Sequence, residues 1–235
     1  AVCLSCLTMT GCSALNFSVE GLINAPKLTS EQSEIHQALI ESVGSNITLK
    51  YPKNGEYRSA YVIANIDDEP TDEAMVFYEY TSNGSEEDGL RVNILDKDEK
   101  GKWYSVKELA GAGTDIDQVI ISPMGNNNQT DVFVGYQNLT NDEKTMEIYS
   151  YTDGDFKRVA LDTYSVLEPL DINNDGYIEL ITIQRSTNND TGAVTAKASM
   201  LNMKNNEITR GENVDMCDNV TSYVSSKTGM LDSGR

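Results

Sequence analysis

The sequence predicts an all-β fold: a β-propeller of four-stranded blades, incomplete in this chain, preceded by one α-helix. Three observations predict it. After Gly44 the helical spacing of apolar residues disappears, and short runs of β-branched and aromatic residues alternate with Asn, Asp and Gly turns. Loop-end acids recur at Glu73, Asp131 and Glu179, at intervals of 58 and 48 residues. Blades of about 40 to 50 residues stacked around an axis are the architecture that such a period implies.

The helix comes first. Thr29-x-x-Gln32 has capping-box spacing, Ile35, Ala38, Leu39 and Val43 repeat at helical intervals, and Gly44 stands where a C-terminal stop belongs. His36, the single histidine, is expected to be a partly exposed bystander on it.

Candidate strands follow at Ile47 to Tyr51, Ala60 to Ala64, Ala74 to Tyr78, Leu90 to Leu95, Trp103 to Val106, Gln118 to Ser122 and Val132 to Tyr136. Further runs are Met146 to Tyr151, Phe156 to Leu161, Ser165 to Leu170, Ile178 to Ile183, Ala198 to Met203, Ile208 to Arg210 and Val220 to Val224. The repeating unit is clearest where Met146 to Tyr151 turns at Asp153-Gly154 into Phe156 to Leu161, Ser165 to Leu170 enters a loop and Ile178 to Ile183 leaves it. Leu90 to Tyr136 has the same order, and Ala198 to Val224 begins another copy.

The loop in that unit, Asp171-Ile-Asn173-Asn-Asp175-Gly176-Tyr177-Ile-Glu179, is the strongest chemical signal in the chain. Ca²⁺ takes six to eight hard oxygens, and alternate positions of a tight turn can aim theirs into one hole. Asp171, Asn173 and Asp175 offer side chains, Tyr177 a backbone carbonyl and Glu179 a closing carboxylate, while Gly176 permits a positive-φ turn. An EF-hand or dockerin is excluded, because Thr182 stands where the twelfth-position acid belongs and Ile178 to Ile183 alternates as a strand. A metal-free Asx-rich turn is the competing reading. In a second, weaker loop Asn65, Asp67, Glu69 and Glu73 keep the oxygen positions, but Pro70 replaces the glycine. A middle copy, with Pro123, Gly125, Asn127 and Asp131, retains one carboxylate and is expected to be a turn only.

Composition bounds the partners. Hydrophobic residues make up 39% and charged ones 23%, and 37 acidic against 18 basic residues leave a net charge of -19. That surface repels nucleic acid, and no basic cluster offsets it. No Ser or Cys nucleophile has a histidine partner other than His36, and no Gly-rich phosphate loop or H-E-x-x-H motif occurs. The aromatic residues Trp103, Tyr104, Tyr136, Tyr149 and Tyr151 stand at strand spacing and are expected to pack between blades.

Residues 1–11 read AVCLSCLTMTG, an uncharged stretch too short to span a bilayer and expected to be the remnant of a signal peptide. Met9-Thr10-Gly11-Cys12 resembles a bacterial lipobox, which implies lipidation at Cys12, departure of Cys3 and Cys6, and Cys217 as the remaining thiol. Residues 12–27 suit a flexible tether, and 28–235 hold the helix and about three to four blades.

With these strand-loop-strand units the chain resembles the FG-GAP/VCBS-type repeat β-propellers, and more closely the propeller lipoproteins of Clostridia-like bacteria, over about Lys27 to Arg235. The chain ends at Leu231-Asp-Ser-Gly-Arg235, where a third strand would lead into its loop, so C-terminal blades are expected to be missing. The combined expectation is a monomeric, lipid-anchored, extracytoplasmic module on the cell membrane. It binds a protein or glycan without catalysis and is stiffened by Ca²⁺. Two alternatives stay open: a carbohydrate-active or other hydrolase with acids in the central channel, and a metal-free structural surface protein.

Overall fold

The computed structural model describes residues 28–81, 89–124, 129–138, 143–204 and 207–218. The described residues are mostly β, with one helix and several antiparallel sheets.

Helix α1 spans Ser30–Val43. The Thr29 hydroxyl accepts from the Gln32 backbone N–H at 3.1 Å and the Gln32 side chain accepts from the Thr29 N–H at 3.1 Å, so two otherwise orphaned donors satisfy each other's residue. Gly44, at φ 85, ends the helix and donates its N–H to the Ile40 carbonyl at 2.9 Å. Ile35, Ala38 and Leu39 are buried. His36 bonds the Tyr61 hydroxyl through Nδ1 at 2.8 Å, so it helps seat the helix.

The first sheet holds β1 (Ile47–Leu49), β2 (Tyr61–Ala64), β3 (Glu73–Tyr80), β4 (Leu90–Lys97) and β5 (Trp103–Ala110). β1 and β2 lie end to end along one edge of β3, pairing with Tyr78–Tyr80 and Glu73–Val76. The second sheet is β6 (Asp115–Ser122), β7 (Asp131–Gln137), β8 (Lys144–Thr152) and β9 (Asp155–Tyr164) in sequence order. The third runs β10 (Val166–Leu170), β11 (Glu179–Thr187), β12 (Val194–Lys204) and β13 (Glu207–Arg210); β14 (Val214–Asp218) shares the β13 edge of β12.

Two details differ from the sequence reading. The unit drawn from Met146 to Ile183 straddles two sheets, because a single residue, Ser165, separates β9 from β10 and the chain there steps from one sheet to the next. β14 lies in a stretch assigned to no strand, and the expected strand at Val220 to Val224 falls outside the described residues, as do 1–27.

The sheets stack because most of their faces are apolar. In β3 the six residues Glu73 to Tyr78 are all buried, on both faces. Ala74, Val76 and Tyr78 pack with Ile35 and Leu39 of α1, whereas Met75 and Phe77 pack with Val132, Val134 and Tyr136 of the second sheet. The other face of the second sheet, with Phe133, Met146 and Ile148, meets Leu167, Leu180 and Leu201 of the third. Each aliphatic side chain so removed from water stabilises by about 1.5 to 3 kcal/mol. Polar bridges fix the stacking order: Asn54 N–H to the Asp117 carbonyl at 2.7 Å, Lys107 to Asp155 at 2.6 Å, Ile178 N–H to the Pro123 carbonyl at 2.9 Å, and Arg210 to Asp162 at 2.5 Å.

One buried polar cluster sits where the first and second sheets meet. Asp117, 2% exposed, accepts from Asn54 Nδ2 at 2.7 Å, Lys144 Nζ at 2.8 Å and the Tyr164 hydroxyl at 2.6 Å. Tyr164 reaches it by crossing the bare backbone of Gly135, where a Cβ would strike the phenol oxygen. Gly135→Ala is therefore expected to cost about 1 to 3 kcal/mol by overpacking. Tyr164→Phe is expected to cost about 1.5 to 3 kcal/mol through the lost charged hydrogen bond. Because the new methyl clashes with the hydroxyl that the second change removes, urea unfolding of the double variant should show less than the sum of the two losses.

Candidate metal centre

Three loops of equal length close in the same way. Ala64 pairs with Glu73, Ser122 with Asp131 and Leu170 with Glu179, each pair bracketing eight residues. The acid is in every case the first residue of the strand that leaves the loop. Its carboxylate accepts the backbone N–H seven residues upstream: Ile66 to Glu73 at 2.8 Å, Met124 to Asp131 at 3.0 Å and Ile172 to Glu179 at 2.9 Å. A short carboxylate placed there satisfies a donor that no strand can reach and ties the loop's entry to its exit.

In the third loop the predicted oxygen set is held together. Asp171 accepts from the N–H groups of Asp175 at 3.1 Å and Gly176 at 3.0 Å. Asn173 Oδ1 accepts from the Asp175 N–H at 2.9 Å, and Asp175 Oδ1 from that of Tyr177 at 2.9 Å. Asn174 and Gly176 take positive φ, 58 and 88, which turns the chain tightly enough for this. The Asn173 amide nitrogen stands between Asp175, at 2.9 Å, and Glu179, at 3.4 Å. A partial positive charge thus lies between two carboxylates, where a cation would satisfy both more strongly.

The set fits a hard cation in chemistry. In this conformation its carboxylates are turned onto backbone donors, and among the described residues no group of three or more His, Cys, Asp and Glu side chains is gathered closely enough to hold a metal ion. The Thr182 position is strand β11, with the side chain buried and bonded toward Ser199.

The first loop is built differently. No residue from Asn65 to Asp72 takes positive φ, in keeping with Pro70 in place of a glycine. Asn65 Nδ2 donates to the Glu69 and Thr71 carbonyls at 2.5 and 3.1 Å, and Asp67 accepts from the Glu69 N–H at 2.7 Å. Asn65 and Glu69 are exposed while Glu73 is buried, so the four are spread over the loop. Glu73 Oε1 has no hydrogen-bond partner among the described residues. Burial, with Asp67 and Asp96 nearby, pushes its carboxyl up to about 7 against the help of the Ile66 N–H. In the middle loop, residues 125–128, including Gly125 and Asn127, lie outside the described residues. Asp131 there accepts from Met124 and from the Ser150 hydroxyl.

A cavity of about 510 Å³ opens between β6, β10 and the segment Asn54 to Tyr57. Its acids are Glu56, Asp117 and Glu168, and Asp117 is already engaged by Asn54, Lys144 and Tyr164. Sequence reasoning did not find this cluster, since nothing in the spacing of residues 54, 117, 144 and 164 marks their convergence. Of the aromatic candidates, Trp103, Tyr136 and Tyr149 are buried and Tyr104 is 45% exposed. No helix among the described residues is long and apolar enough to cross a membrane. Comparison with protein-family models gives no match, and comparison with curated proteins gives none either.

The Glu73 geometry has a pH consequence. The folded state keeps a proton that the unfolded chain releases near 4.5, so the stability it contributes is present below about pH 4.5 and lost as pH rises through about 7. In chelator, Glu73→Gln keeps an oxygen for the Ile66 N–H and removes the charge. Thermal unfolding should show the variant more stable than the parent at pH 8, by about 1 to 3 kcal/mol, and the difference should vanish at pH 4.5.

Proposed function

We propose that the chain is a lipid-anchored, extracytoplasmic binding or assembly module of propeller type, in which Ca²⁺ stiffens the Asp171 loop. The observation that carries the reading is the shared construction of the three acid-closed loops, each bonded from acid to the seventh residue upstream. Three successive antiparallel sheets stacked face to face, with β6 and β10 flanking one cavity, support an arrangement of blades about an axis.

Asp171, Asn173 and Asp175 through their side chains, Tyr177 through its carbonyl and Glu179 through its carboxylate would hold the ion. A bound divalent cation neutralises the loop's carboxylates and fixes their spacing. The chain's own part is to bring them together: Gly176 and Asn174 make the turn, and the Glu179 bond to Ile172 closes it. The first loop, with Asn65, Asp67, Glu69 and Glu73, is a weaker site on this reading. Residues 1–12 support the anchor through the lipobox resemblance at Met9 to Cys12, and the exposed flanks of the sheets are left for a protein or glycan ligand. Asp117 lies in a tight cluster with Lys144, so the cavity favours no acid–base pair for hydrolysis.

Thermal unfolding in 10 mM Ca²⁺ against chelator tests the metal. With a dissociation constant of about 0.1 mM the native state gains about 2.7 kcal/mol, which raises the midpoint by about 5 to 10 °C. Glu179→Gln keeps the acceptor for the Ile172 N–H and should remove most of the shift. An unchanged midpoint in the parent would exclude the site.

A further inference from the structure

The cluster around Asp117 gathers the three groups from which a chain can make an amide bond between its own side chains: an amine, a carboxamide and a carboxylate that touches both. Asp117 is the extra residue of a bulge in β6, since Ile116 pairs with Tyr136 and Gln118 with Gly135, and a bulge re-aims the side chain it carries. One oxygen of its buried carboxylate, Oδ1, accepts from Lys144 Nζ at 2.8 Å and from Asn54 Nδ2 at 2.7 Å. Amine and carboxamide therefore meet at a single atom. The other oxygen accepts from the Tyr164 hydroxyl at 2.6 Å, which holds the carboxylate in that rotation. Neither partner is free to wander. Lys144 opens β8 and pairs with Tyr164 across the ladder, its ammonium 5.6 Å from the centre of that ring. Asn54 is clamped on β6 by the Lys53 N–H to the Ile116 carbonyl at 3.1 Å and by its own N–H to the Asp117 carbonyl at 2.7 Å, and Arg58 reaches back to the Lys53 and Gly55 carbonyls.

We propose that Lys144 and Asn54 join in an intramolecular isopeptide bond, with Asp117 as the proton carrier. The Asp117 carboxylate takes a proton from the Lys144 ammonium, and the neutral amine attacks Cγ of Asn54. As the Cγ–Nδ2 bond breaks, Asp117 gives that proton to the departing nitrogen and takes another from the attacking one. It returns the second proton as ammonium ion leaves. Lys144 Nζ and Asn54 Cγ remain as a secondary amide, the carboxylate is regenerated, and no co-reactant is consumed. Asn54 already presents its leaving nitrogen to Asp117, and holding both reactants on one oxygen makes the step unimolecular. All three residues line the cavity of about 510 Å³, which gives ammonia a way out. The bond ties the segment before β2 to β8 and so staples the first sheet to the second. This inference stands apart from the metal and anchor readings.

Intact mass and a tryptic map of the purified 235-residue chain test the bond. The expected chain is lighter than its sequence by one ammonia, and its digest joins the peptide 54–58 to the peptide 108–157, which stays uncut at the acylated Lys144. Lys144→Arg keeps a cation beside Asp117 but cannot form the amide, and Asn54→Ala removes the carbonyl that is attacked. Both variants should show their full sequence mass and no joined peptide. In a denaturing gel the parent should run ahead of both, because a cross-link keeps the unfolded chain more compact. A parent at its full sequence mass, with the peptide 54–58 found alone, overturns the proposal and leaves the cluster an ion pair only. So does a loss of ammonia that persists in Lys144→Arg, since that marks ring closure of Asn54 onto the Gly55 nitrogen.

Discussion

The structure depends on one constraint: its first two sheets carry apolar residues on both faces, so each of them needs a neighbour on both sides. β3 makes the point, since Met75 and Phe77 need the second sheet as much as Val76 and Tyr78 need the helix. An antiparallel sheet with a single core face would show polar residues at alternate positions. Here β3, β4, β7 and β8 are buried in nearly continuous runs on both faces, and alternation returns in edge strands such as β5, where buried and half-buried positions alternate with exposed ones. The helix is the economical end piece: three buried residues, Ile35, Ala38 and Leu39, close a face that otherwise calls for four strands.

The loops obey a second rule that follows from the first. When stacked sheets press on both sides of a turn, its backbone donors lose access to water and need an acceptor at a fixed place. An acid at the start of the leaving strand supplies it at Glu73 and Asp131, and Glu179 makes the same bond in the exposed third loop. The recurrence of these acids therefore reports a backbone requirement before it reports an ion. The middle loop keeps the closing acid and has lost the other carboxylates, which separates the two roles: the closing position serves the fold, and the alternate Asp and Asn positions are additional.

Much of this was legible in the chain. The helix and its caps follow from Thr29, Gln32 and Gly44, whose roles are local and need no tertiary knowledge. Thirteen observed strands contain or overlap predicted runs, because β-branched and aromatic residues between Asn, Asp and Gly turns specify strands locally. β14 was not legible: Val214-Asp-Met-Cys-Asp218 has Gly211, Asn213 and Asn219 as flanking turn residues but is short and breaks alternation at Met216-Cys217, and it pairs because β12 is long enough to seat two partners on one edge. β12 itself begins at Val194, four residues before the apolar run at Ala198, since pairing with β11 extends it through polar residues that propensity alone would leave in a loop. The sheet boundary at Ser165 was hidden for a related reason, because sequence order cannot tell a hairpin from a step between sheets. Of the candidate centre, the Asp171 set could be read from spacing, whereas the Asp117 cluster joins residues from four separate segments.

Packing and ion affinity meet at Ile172. In the first two loops the equivalent side chains, Ile66 and Met124, are held under the next sheet, and that contact already fixes the loop. Such loops gain little from a cation, and their ligand sets are degraded by Pro70 in one and by the lost carboxylates in the other. Among the described residues the third loop has no cover over Ile172, and it retains the full oxygen set. A surface that covers Ile172 and a cation held by Asp171, Asn173, Asp175 and Glu179 would order the same eight residues. Each would then spare the other part of the entropy of ordering, so the two equilibria would be coupled with the same sign and to the same extent in both directions.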